Sequence, residues 1–208
     1  WETQLWVDGQ YVGMQNSLST PHQYDVSQLM TPGKHRVTLR VDNTVKIDVG
    51  ENAHSVSDNT QGNWNGIAGA MTLTARPKVH VADLQAYPDI AAKQAKVHVL
   101  LANTTGQPVS GTITLTAASF NSDTAHAPGE ITAEFSIREK EDTIVVPYPF
   151  GEAMQCWSEF SPALYRLSAQ VVSEGQHDAD EYAVEFGMRE ITAQGTQFYL
   201  NNEPIFLR

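Results

Sequence analysis

Cysteine is almost absent. Cys156 stands alone among 208 residues, which excludes an internal disulfide and any cysteine-based zinc site. It reads as a small, poorly exposed hydrophobe rather than a reactive thiol. Positive charge is also scarce: 13 basic residues face 24 acidic ones, a formal charge of -11. A polyanion gains affinity by releasing counterions to Lys and Arg, and no basic run is present, so nucleic acid is not an expected partner. Apolar runs stay strand-sized, well short of the roughly 18 residues of a membrane-spanning helix. There is no initiator Met and no export signal ahead of Trp1-Glu2-Thr3-Gln4-Leu5. The expectation is therefore a piece of a longer protein, whose compartment this absence leaves open.

What is present is β pattern. Hydrophobic residues make up 41% and charged residues 18%, a globular balance. Leu5-Trp6-Val7 and Tyr11-Val12-Gly13 flank Asp8-Gly9, a pair suited to a type I′ hairpin because both turn positions need positive φ. An extended piece at Gln23 to Val26 follows, then a turn at Thr31 to Lys34. In the strand His35 to Val41, Val37, Leu39 and Val41 alternate with Arg36, Thr38 and Arg40. Met71 to Thr74 is expected to close this first module, and Arg76-Pro77 marks a boundary because proline cannot donate to a ladder.

Beyond it the alternation predicts strands at Val79–Ala86, Lys96–Asn103, Gly111–Ala118, Ile131–Ile137, Thr143–Val146, Leu164–Val172 and Tyr182–Phe186. Seven strands with turn residues between them point to an immunoglobulin-like sandwich without the antibody cysteine pair. Phe198-Tyr199-Leu200 and Ile205-Phe206-Leu207 bracket Asn201-Asn202-Glu203-Pro204 as a further hairpin. The fold class expected is all-β: a partial jelly-roll sandwich followed by an immunoglobulin-like sandwich.

Four segments together resemble glycoside hydrolase family 2. Leu5 to Gly13, with Tyr24-Asp25-Val26 and Pro32-Gly33 before Val37 to Asn43, is similar to the second half of the family's sugar-binding jelly roll. Asn63-Trp64-Asn65-Gly66-Ile67-Ala68-Gly69 resembles its Gly-Ile segment, with Ala70 where an Arg usually stands. Trp157 with Ser161 to Leu167 resembles the tryptophan and Pro-x-Leu-Tyr-x-Leu of its sandwich domain. Phe186 to Glu190 with Phe198 to Arg208 resembles the lead-in to its (β/α)₈ barrel, Asn202 replacing the commoner glycine.

The resemblance implies three parts: a jelly-roll portion at 1–76, the sandwich at 77–187 and a barrel lead-in at 188–208. It also implies more jelly roll ahead of Trp1, so that the first module would carry unpaired sheet edges able to associate. The parent protein it implies is a bacterial, periplasmic or secreted retaining exo-β-glycosidase. Its two glutamates, roughly 5–5.5 Å apart, sit on the barrel. This chain would then be non-catalytic, with carbohydrate and its own barrel domain as partners and no cofactor or metal. The alternative is a free-standing carbohydrate-binding or adhesive sandwich, which should bury Phe198, Leu200, Ile205 and Phe206 or end before them.

Candidate sites are few. Asp58, Asn63, Trp64 and Asn65 carry an aromatic face for sugar C–H surfaces and polar groups for hydroxyls, making their loop the best substrate-binding candidate. Trp64 could instead cap the sandwich, and Trp157 is expected to pack on Leu164 and Leu167. Glu152, Glu159, Asp178, Asp180 and Glu181 read as solvated loop carboxylates, not a catalytic pair, which needs a pocket that separates two pKa values. The seven histidines show no metal spacing. His177 to Asp180 lacks the glycine and terminal Glu of a calcium loop. Asn103-Thr104-Thr105 is a glycosylation sequon that reads as turn chemistry.

Overall fold

A computed structural model describes residues 1–54, 56–57, 59–60, 62, 66–175 and 178–206. The described residues form thirteen strands and no helix, and the chain divides into two compact units, 1–73 and 74–208.

The first unit is built on β1 (Glu2–Val7), β2 (Gln10–Asn16) and β3 (Val37–Asp42), an antiparallel sheet in the order β2-β1-β3. Central β1 alternates, with Thr3, Leu5 and Val7 buried, as the period of two requires. Asp8 (φ 50°) and Gly9 (φ 84°) make the tight turn, and a bulge falls where Leu5 and Trp6 meet β2. Both outer strands are sheet edges among the described residues. Gln23–Val26 is not a ladder strand. Its hold on the sheet comes from side chains: Tyr24 donates its hydroxyl to the Thr3 carbonyl at 2.8 Å. Met71–Thr74 forms no strand either, because no described segment pairs with it, and Met71 and Leu73 are 76% and 71% exposed.

Asp8 has a second role that the turn pattern does not reveal. Its Oδ1 accepts the Arg36 N–H at 2.8 Å, and its own N–H donates to the Arg36 carbonyl at 2.8 Å. The hairpin turn thereby anchors the start of β3. His35 completes the clamp, with Nδ1 2.6 Å from Asp8 Oδ2 and Nε2 2.7 Å from the Thr31 carbonyl. Both ring nitrogens face acceptors, so the doubly protonated ring fits the site best. The Arg36 N–H and then His35 hold the Asp8 carboxyl below its ordinary range, while Asp8 and the Thr31 carbonyl raise His35. At the far end of β3, Lys46 and Thr44 likewise hold the Asp42 carboxyl well below the usual range.

The second unit contains a sandwich of seven strands: β4 (Val79–Asp89), β5 (Gln94–Asn103), β6 (Val109–Phe120), β7 (Ile131–Ile137), β8 (Glu141–Pro149), β9 (Leu164–Ser173) and β10 (Asp180–Phe186). One sheet runs β4-β5-β8 and the other β10-β9-β6-β7, every pairing antiparallel. Inward residues alternate along each strand, as with Ala95, Val97, Val99 and Leu101 on β5 and Tyr165, Leu167, Ala169 and Val171 on β9. Each large aliphatic side chain buried this way contributes about 1.5–3 kcal/mol. The Tyr165 hydroxyl accepts the Gln155 N–H at 3.0 Å and lies 2.6 Å from His126 Nδ1, a tyrosine corner at the start of the strand.

Asp180, only 6% exposed, joins the edges of the two sheets. The register of β4 shifts between Val81 and Asp83, and at that bulge Asp180 Oδ2 takes the Val81 N–H at 2.9 Å. Arg76 lies 3.7 Å from the same oxygen, donates to the Val81 carbonyl at 2.6 Å and sits 5.0 Å over the Tyr182 ring. After the sandwich, β11 (Ile191–Gln194), β12 (Gln197–Leu200) and β13 (Glu203–Ile205) form a small meander. Asn201 (φ 52°) and Asn202 (φ 70°) occupy its second turn.

The His35 clamp has a pH signature. A raised histidine stabilises fully below its unfolded value of 6.5 and loses that contribution as pH rises through the folded value. Asp8 works the other way, its contribution present above 3.8 and lost as pH falls through its depressed folded value. Urea unfolding of the wild type and of His35→Gln, compared from about pH 5 to about pH 9, should show their stability difference shrinking as pH rises. A difference that stays flat across that window rejects the clamp.

Candidate functional site

The loop that carries the sequence's binding candidates is only partly described. Asp58, Asn63, Trp64 and Asn65 lie outside the described residues. The stretch leading to them is a series of turns closed on itself. The Ser57 N–H donates to the Ala53 carbonyl at 2.9 Å, the Ser57 hydroxyl reaches the Glu51 carbonyl, and the Thr60 hydroxyl reaches the Ser57 carbonyl at 3.0 Å.

The carboxylates considered for chemistry are dispersed. Exposed Glu152 pairs with Lys93, while Glu159, Asp178 and Glu181 face solvent. Asp180 is buried, but the Val81 N–H and Arg76 occupy it, so it is a structural residue and not the solvated loop carboxylate expected. Its neighbour His177 lies outside the described residues. No group of three His, Cys, Asp or Glu side chains could hold a metal ion among the described residues, and no described helix is long and apolar enough to cross a membrane. Histidines are used in packing and bonding: His22 Nε2 meets the Ser17 carbonyl at 2.9 Å, and His80 Nδ1 the Pro77 carbonyl at 2.9 Å.

Asn103 of the sequon is buried. It donates to the Gln107 carbonyl at 2.8 Å and accepts the Thr105 N–H at 3.0 Å. An amide nitrogen so enclosed organises a turn and is closed to a glycan in the folded chain. Cys156 is half-buried and burial pushes its thiol up, in the direction of an inert thiol.

The most organised polar constellation is a joint around Trp157, between β8 and β9. Cys156 bridges to Met188 in parallel fashion, and the Trp157 N–H donates to the Met188 carbonyl at 2.9 Å. The indole lies against Gly187, where an added Cβ would come within 2.7 Å of Trp157 Cβ. The Arg189 guanidinium stands 4.6 Å over the ring. Asn201 then ties the meander on: its Nδ2 donates to the Trp157 carbonyl at 2.9 Å and its Oδ1 accepts the Glu190 N–H at 3.0 Å. Sequence reasoning placed Trp157 in the sandwich motif but missed Asn201 as its partner. The turn-forming Asn201-Asn202 pair was the available signal. On the meander Leu200 is buried, whereas Phe198 is exposed and Phe206 is 84% exposed. This arrangement positions backbone. It offers no nucleophile beside a base.

Comparison with known proteins agrees with that architecture. The chain is 24% identical to a β-galactosidase of Enterobacter cloacae, over 98% of this chain and 20% of that protein. It is 25% identical to a β-galactosidase of Photobacterium profundum, over 98% of this chain and 19% of that one. It thus spans about a fifth of the length of these curated relatives. Among solved structures, a GH2 β-galacturonidase from Eisenbergiella tayi superposes with a TM-score of 0.69 at 20% identity, covering 97% of this chain and 33% of that one. A Bacteroides uniformis β-glucuronidase superposes with a TM-score of 0.64 at 16% identity, covering all of this chain and 25% of the other. At such identities the superpositions show the fold alone. The family model for glycosyl hydrolases family 2 matches residues 79–189, more than half of the sequence, and the chain belongs to that family.

Proposed function

We propose that this chain is a non-catalytic scaffold of a bacterial family 2 glycoside hydrolase, holding the catalytic barrel of the whole enzyme in place without taking part in bond cleavage. The observation that carries the reading is the joint at Trp157. The family match covers the sandwich and ends at Arg189, where that residue, Trp157 and Asn201 fix the outgoing chain to the sandwich. The dispersal of the carboxylates supports the same reading. A retaining glycosidase needs two of them roughly 5–5.5 Å apart in a shared pocket.

Purified chain should therefore show no turnover of aryl β-galactosides, β-glucuronides or β-mannosides above a buffer blank. Turnover abolished by replacing a single Glu or Asp of this chain would overturn the proposal.

The joint makes a separate prediction. Asn201→Ala removes two hydrogen bonds, at roughly 1–3 kcal/mol for the groups left unpaired, and adds the left-handed cost of an alanine, about 1–2 kcal/mol. Amide exchange should accelerate in 191–205 while the β5 and β9 amides keep their protection. Asn201→Gly keeps the turn geometry and loses the bonds, so it should fall between. Equal acceleration throughout the sandwich would mean that Asn201 serves global stability and not the joint.

The loop with Asp58, Asn63, Trp64 and Asn65 belongs to this reading as a sugar-facing element of the whole enzyme. Its support is chemical: an indole and three polar side chains within eight residues. Trp64→Ala in the whole enzyme should raise KM for the glycoside with little change in thermal midpoint. A lowered midpoint with unchanged KM assigns Trp64 to packing instead.

A further inference from the structure

The outer face of the β4-β5-β8 sheet carries an aromatic side chain that lies outside the core and is oriented by surface contacts. Tyr87, on β4, is 50% exposed. Its hydroxyl donates to Gln85 Oε1 at 2.5 Å, and Gln85 Nε2 donates in turn to Asp83 Oδ2 at 2.6 Å. From the neighbouring strand, the His98 ring lies tilted beside it at a centroid distance of 4.7 Å and an interplanar angle of 51°. The ring's orientation is set before any ligand arrives, so binding would cost little ordering entropy.

A shallow cleft of about 350 Å³ opens beside this ring, lined by Tyr87, Pro88, Asp89, Gln94, Lys96 and His98. The register places Lys96 opposite Tyr87 and Gln94 opposite Asp89, so the polar groups form a row along one side of the aromatic platform. Asp89 is itself oriented by the hairpin loop, its Oδ1 accepting the Ala92 N–H at 2.9 Å. One carboxylate and one ammonium leave the lining with no net formal charge when His98 is neutral, so a strongly charged ligand gains little there. An aliphatic ligand would strip water from Asp89 and Lys96 without replacing their hydrogen bonds.

A neutral polyol ring meets every requirement. It presents an apolar C–H face and an equatorial fringe of hydroxyls, which both donate to Asp89 and accept from Lys96 and Gln94. We propose that this cleft binds a pyranose unit of a neutral oligosaccharide, with Tyr87 as the platform under the sugar's C–H face and Gln94, Asp89 and Lys96 as hydroxyl partners. The site lies on the sandwich, apart in sequence from the Asp58–Asn65 loop, and it does not rest on the scaffold reading.

The test is a ¹H–¹⁵N correlation titration of the full 208-residue chain with β-1,4-galactotetraose, cellotetraose and maltotetraose in separate series. At least one should produce saturable shifts concentrated at residues 85–98, with the dissociation constant weakened about tenfold or more in Tyr87→Ala. Tyr87→Phe keeps the ring and loses the bond to Gln85 that orients it, so its affinity should fall between wild type and Tyr87→Ala. Lys96→Ala, which leaves the platform in place, should weaken binding by a smaller factor than Tyr87→Ala. Three things would overturn the proposal: no shifts with all three sugars, shifts located elsewhere, or equal affinity in Tyr87→Ala when its remaining spectrum superposes on wild type. Failure here would leave the inactivity of the chain toward aryl glycosides untouched, and turnover in that assay would leave the cleft untouched.

Discussion

A sandwich must pack two sheets face to face while leaving their edges open, and the carboxylate of Asp180 is where this chain closes one of those edges. It reaches from β10 to the Val81 N–H on β4, at the point where the β4 register slips. Arg76 braces it and covers Tyr182. A buried carboxylate is costly unless partnered, since desolvation outweighs what it gains from a single contact. Here a backbone donor and a guanidinium share it. With that edge joined, the alternating apolar faces of β5 and β9 meet across a buried core, and Tyr165 anchors the strand entry beneath an aromatic group of Phe150, Phe186 and His126.

From that core outward, the molecule spends its polar groups on holding backbone. Asp8 both turns the first hairpin and fastens β3, and Asn103 organises the loop between β5 and β6. Asn201 both turns the meander and fastens it to Trp157. Asp8 and Asn201, both at positive φ in their turns, thus also bond to residues remote in sequence.

Most of the sandwich was legible because its strands alternate strictly: the period of two in Val97, Val99 and Leu101 is itself the statement that one face is buried. The Asp8-Gly9 and Asn201-Asn202 turns were legible for the same kind of local reason, since few residue types accept positive φ. Gln23–Val26 and Met71–Thr74 looked equally extended, yet neither joins a ladder. Strand pattern reports a tendency to extend, whereas pairing depends on a partner remote in sequence. The roles of Asp180 and Asn201 were hidden likewise: each of their decisive contacts spans more than forty residues.

Sequence alone therefore determined what is local or periodic: the all-β class, the seven-strand sandwich, the tight turns and the family resemblance carried by its short motifs. Tertiary structure decided which polar residues are structural. It placed Asp180 in a clamp, His35 between two acceptors, and Tyr87 on an outer sheet face beside Lys96 and Asp89. The physical reason is that a side chain's chemistry depends on its partners and its exposure. Both are set by which strands lie beside one another.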